Sequence, residues 1–107
     1  MRIQYELAGV LSAVIKTFAC SITRVQCSYA GGADAWFQLH DAKALPANGA
    51  NPKVSFKMFA GSVRFDEFSG LSFSNGCVVA ISTTESTLTL ASAGAEITGL
   101  IEGETPL

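Results

Sequence analysis

Charge is scarce in this sequence. Only 15% of its 107 residues are charged, against roughly 25% in an ordinary soluble domain. Seven Lys/Arg and nine Asp/Glu leave a net charge of −2, which excludes the overall basic footprint of a nucleic-acid binder. Histidine is nearly absent: His40 stands alone beside Asp41 in WFQLHD. Neighbouring residues on a strand point to opposite faces, so Asp41 is badly placed to orient His40. No GxSxG elbow supplies a nucleophilic serine either. HExxH, DxDxDG and GxxxxGK patterns are missing, and no cysteines stand at metal-ligand spacing. No cofactor, no metal and no enzymatic activity are expected.

The three cysteines, Cys20, Cys27 and Cys77, are odd in number and lack a CxxC pair, which argues against a secreted disulfide framework. On one extended strand Cys20 and Cys27 would lie ~23 Å apart at about 3.3 Å per residue, too far to bridge. All three read as small buried hydrophobes of a reducing cytoplasm, with a Cys27–Cys77 bond across strands left open. Long apolar runs are lacking too. LAGVLSAVI (residues 7–15) is too short to span a membrane. TFAC (residues 17–20) faintly resembles a lipoprotein cleavage site, but Glu6 and Thr17 do not suit one. The expectation is that nothing is removed, with a bacterial envelope lipoprotein as an alternative.

Apolar character is plentiful. Hydrophobic residues make up 49% of the chain and mean hydropathy is +0.35. The length fits one domain spanning 1–107, which buries roughly 65% of the surface its unfolded chain exposes. Too few charges remain to cover the outside, so part of the apolar surface is expected to meet a partner. Residues 1–60 carry six Lys/Arg against three Asp/Glu, and residues 61–107 one against six, a polarity suited to head-to-tail contacts.

Thr, Val, Phe, Ser and Ile in short runs between Gly, Pro and Asn predict an all-β domain. Its form is an antiparallel β-sandwich, jelly-roll or immunoglobulin-like, of about eight short strands. The candidate runs are Arg2–Leu7, Val10–Lys16, Ile22–Ala30, Ala35–Asp41, Lys53–Phe59, Ser62–Phe68, Gly76–Ser82, Ser86–Ala91 and Glu96–Ile101. KVSFKMF alternates, with Val54, Phe56 and Met58 facing in. SVRFDEF is read with Val63 and Phe65 inward, and Ala60–Gly61 as the turn of a hairpin between the two runs. Ser69–Gly70 and Ser74–Asn75–Gly76 read as turns, CVVAI (residues 77–81) as a central strand buried on both faces, and residues 102–107 as a loose tail.

Candidate contact residues come from one strand and one loop. If Phe37 and Leu39 face the core, Trp36, Gln38 and His40 share the opposite face. A tryptophan among polar residues suits an interface anchor or a sugar-stacking platform, unless both faces are covered. The loop LPANGANP (residues 45–52), stiffened by Pro46 and Pro52 and turned at Asn48–Gly49, is exposed enough to touch a partner or merely to connect.

WFQLHD, PANGANP, VSFKMFAG and GLSFSNGCVVAISTTESTLT, in that order, resemble small proteins encoded in tailed-phage and prophage genomes. The similarity covers residues 22–90 and rests on turns and core strands, with nothing matching in residues 1–15 or after Ala91. It implies a virion accessory protein, most simply a capsid decoration (cement) protein assembled in the host cytoplasm. Implied partners are the major capsid protein or other virion proteins and further copies of itself, such as a trimer, with neither nucleic acid nor membrane. It carries over no catalytic residue. A carbohydrate- or receptor-binding module of a tail or fibre is the alternative.

Overall fold

The computed structural model describes residues 1–106. Eight strands form: β1 (Arg2–Val10), β2 (Ser12–Lys16), β3 (Cys20–Tyr29), β4 (Ala35–His40), β5 (Val54–Met58), β6 (Val63–Phe73), β7 (Cys77–Ser82) and β8 (Ile97–Glu104). They make two antiparallel four-stranded sheets, ordered β1-β8-β3-β6 and β2-β7-β4-β5, packed as the expected β-sandwich. The pairings β4–β5, β3–β6, β2–β7 and β1–β8 trace one long hairpin, arm against arm. Pairings β3–β8 and β4–β7 roll it over on itself. Of the two topologies open from the sequence, this is the jelly roll.

Period-two alternation builds the core between the sheets. One sheet sends in Ile3, Leu7, Ile22, Val25, Cys27, Phe73, Ile97 and Ile101, and the other Ile15, Phe37, Leu39, Met58, Cys77, Val79 and Ile81. Every residue of β7 is buried, as predicted for a central strand. At Gly99 and Gly103 of β8, an added Cβ would strike the carbonyl oxygens of Gln26 and Ser21 on β3, so these two inward positions admit only glycine.

Five expectations change. Ala60–Gly61 does not close a hairpin: β5 pairs with β4 and β6 with β3, so this link carries the chain from one sheet to the other. The hairpin instead joins β4 to β5 through the proline loop, with Leu39 opposite Val54 and Ala35 opposite Met58. The alternation of β6 is inverted. Val63 and Phe65 face water at 72% and 52% exposure, while the inward-facing Arg64 and Asp66 satisfy each other (Nε to Oδ2, 2.6 Å) and Phe68 stacks on Phe56 at 5.7 Å.

Ser69–Gly70 is not a turn but part of the 11-residue β6. The β3–β6 register slips between Ile22 and Arg24, and Gly70 takes φ +102° there, the positive value a bulge reserves for glycine. Ser86–Ala91 forms no strand, only a single bridge between Ser82 and Leu90, because its polar groups bond to side chains and to a neighbouring loop. Finally, the expected tail is largely structured. Glu102–Glu104 pair with both β1 and β3, and Thr105 N donates to Met1 O at 2.7 Å while the Met1 amine returns a bond to Thr105 O at 2.9 Å. Leu107 lies outside the described residues.

Candidate interaction surfaces

The outer face of the β2-β7-β4-β5 sheet carries Trp36, Gln38 and His40 on β4, opposite Ser82, Ala80 and Val78 of β7. Two irregular segments, residues 41–53 and 83–96, lie across it. The Gln38 amide nitrogen shares its protons among the carbonyls of Thr84 (3.0 Å), Glu85 (3.1 Å) and Thr87 (3.2 Å). Its Oε1 lies 3.0 Å from His40 Nε2. With the amide nitrogen committed as donor, Oε1 accepts, which makes Nε2 the protonated nitrogen of a neutral ring. Burial lowers the His40 pKa. Ser82 Oγ reaches the Thr84 and Thr87 carbonyls and accepts from Thr84 N and Thr89 N.

The residues expected to form an interface therefore largely do not reach the surface. Gln38 and His40 are 0% and 2% exposed, closed over by the loops. Asp41 points away from His40: its carboxylate accepts from Ser74 N, Ser74 Oγ and Asn75 N. Desolvation raises its pKa, but these bonds together outweigh it and the net shift is downward. Trp36 is half-buried, with the Lys57 ammonium 6.0 Å from its ring centroid, so that ring face is not a free stacking platform. Pro46 and Pro52 are half-buried, and the Oδ1 of exposed Asn48 accepts from Leu90 N at 3.0 Å. Gly49 N to Leu88 O (2.7 Å) and Leu88 N to Ala50 O (2.8 Å) lace the two loops together. Leu88 is fully buried as a result.

The surface with spare apolar area lies where the sequence placed core. Phe59, in the link that follows β5, is 60% exposed, and Val63 and Phe65 are exposed on the outer face of β6. Lys57 sits 5.3 Å from the Phe59 ring and Arg24 5.5 Å from the Phe65 ring, so each of these exposed rings carries a cation beside it. At the opposite end of the strands, Phe18 in the β2–β3 link is 51% exposed, with Lys16 over its ring at 5.6 Å. The inverted β6 is tolerated because Arg64 and Asp66 stand two apart and pair on one face, so their inward placement leaves no lone charge.

The outer face of the β1-β8-β3-β6 sheet carries an ion-pair chain, Arg2–Glu102–Arg24–Glu67, with separations of 3.1, 3.3 and 3.8 Å. The Arg2 hydrogen bond, helped by Arg24, lowers the Glu102 pKa. Glu104 also lines this groove, so two arginines there face three glutamates. The cysteines are free and buried, so Cys27 and Cys77 are not bonded to each other. Desolvation pushes the Cys27 thiol up to about 11 and raises Cys20 and Cys77 too, which keeps all three unreactive as thiols. Among the described residues no cluster of His, Cys, Asp or Glu is arranged to hold a metal. Comparison with known protein families, curated proteins and solved structures finds no match to this chain.

Proposed function

We propose that this chain is a structural accessory protein of a bacteriophage particle that decorates the capsid and stabilises it by binding across subunits of the major capsid protein. The observation that carries this reading is apolar surface left in water by a domain whose interior is complete. Phe18 at one end and Phe59, Val63 and Phe65 at the other are exposed, yet no buried side-chain polar atom lacks a partner among the described residues. Folding does not require these side chains outside, and burying each against a partner is worth about 1.5–3 kcal/mol. The resemblance of its motif order to phage-encoded proteins, read from the sequence, supports the same assignment. The jelly roll agrees with it at the level of fold analogy only, since that fold serves viral capsids and lectins alike.

The test adds purified chain to shells of the major capsid protein encoded in the same genome. Saturable binding is expected, with a raised shell melting temperature and a loss of affinity of at least about tenfold (1.4 kcal/mol) in Phe18→Ser or Phe59→Ser. Shells that neither bind the chain nor gain stability would overturn the proposal. Retention on a glycan array, abolished by Trp36→Ala, would replace it with the carbohydrate-binding alternative.

A further inference from the structure

β6 is the end strand of its sheet, and the chain offers a specific way to cover it. Tyr29 N donates to Ser62 O at 2.9 Å, and Ser28 then pairs with Val63, Cys27 with Arg64 and so on to Arg24 with Glu67. In an antiparallel ladder bonded and non-bonded pairs alternate. Arg64 and Asp66 therefore direct their backbone groups at β3, while Val63, Phe65 and Glu67 turn theirs outward, unpaired. On the same three residues the side chains stand on the outer face, Val63 and Phe65 largely in water. An open backbone edge coincides with exposed apolar side chains.

We propose that this edge pairs with the β6 edge of a second copy, about a two-fold axis through Phe65, to make one continuous eight-stranded sheet. Continuity of faces requires each residue to meet one of its own parity, which leaves few registers on the regular segment before the Gly70 bulge. Centring on Arg64 sets arginine against arginine. Centring on Asp66 or Glu67 sets carboxylate against carboxylate. Centring on Phe65 sets Arg64 opposite Asp66 of the second copy and the reverse, in close non-bonded pairs, and Val63 opposite Glu67. Phe65 meets its own copy as a cross-strand aromatic pair. The two Arg64–Asp66 pairs, each already bonded within its own chain, close into a ring of four alternating charges.

Inward charges on an edge strand ordinarily discourage pairing. Here they disfavour the registers centred on Arg64, Asp66 and Glu67, and centring on Val63 would run the ladder into the Ala60–Gly61 turn. That leaves the Phe65 register and favours a closed dimer over an open stack. The β1 edge lacks this combination: its outward side chains, Arg2, Gln4 and Glu6, are polar and exposed. The contact does not depend on the virion reading.

Sedimentation equilibrium of the full chain over rising concentration is expected to reach twice the 11.2 kDa monomer mass. Asp66→Arg returns it to monomer, and Arg64→Asp combined with Asp66→Arg restores the dimer. Phe65→Pro removes an outward N–H without touching the bonds to β3, and is expected to give a folded monomer by circular dichroism. Under mild oxidation Phe65→Cys is expected to cross-link to dimer, since facing Cα atoms lie about 5.5 Å apart. Glu67→Cys is expected to stay uncross-linked, its copy lying four residues, roughly 13 Å, along the strand. A chain monomeric throughout, a dimer unaffected by Phe65→Pro, or cross-linking through Glu67→Cys as fast as through Phe65→Cys would overturn the proposal.

Discussion

Gln38 and His40 show what a buried polar pair does when every proton is assigned. The amide of Gln38 anchors three loop carbonyls and its oxygen accepts from the imidazole Nε2–H, while burial favours the neutral ring. Protonating His40 places a charge beneath the loops with no carboxylate on it, since Asp41 is committed to Ser74 and Asn75. The His40 pKa is depressed in the fold from 6.5, so between the two values the unfolded chain binds more protons. Stability is then full above about pH 6.5 and falls as pH drops below it, by up to ~1.4 kcal/mol per pH unit. Asp41 and Glu102, also depressed, add their losses only in the carboxylate range, near pH 4 and below. Urea unfolding at pH 7.5 and 5.5 is expected to show the decline in the native chain and a flat response in His40→Gln. Equal slopes in the two would show that the imidazole is not responsible.

At the scale of strands, β8 is the most constrained element, bonded on both sides and pressed against β3 at two glycines. Gly103→Ala is expected to cost about 1–3 kcal/mol through overpacking against backbone that cannot yield. Gly32→Ala is the control: open space surrounds that position, so its urea midpoint is expected to hold or rise slightly. The midpoints of the two variants, measured side by side, decide the matter. β8 also shows how far the sequence could be read. Its inward residues Ile97 and Ile101 were legible from alternation, but its last residues, Glu102–Glu104, look like a polar tail until Arg2 and Arg24 are seen beside Glu102. β7 and the all-β class were legible because an apolar run between turn residues has one reading. The parity of β6 was not, because Val63–Phe65 and Arg64–Asp66 each make a self-consistent face, and only the partner sheet decides between them. The polar triplet Trp36–Gln38–His40 was placed correctly on the outer face, yet the loops that bury it have no periodicity to announce where they lie.

For the whole molecule, the pairing of β1 with β8 sets the terms of folding. Arg2 finds Glu104 across nearly the full chain, and the arms between them pair in nested order toward the β4–β5 loop. Such non-local topologies fold in milliseconds to seconds. Stopped-flow refolding followed by Trp36, the only tryptophan, is expected to fall in that window, and a microsecond phase carrying the full amplitude would contradict it. The same closure brings Met1 and Thr105 into mutual backbone bonding, so these two residues lie next to each other. Cargo fused before residue 1 and cargo fused after residue 106 would emerge side by side. A short linker joining the two residues, with the chain reopened in the 45–52 loop, would give a circular permutant that keeps all six strand pairings.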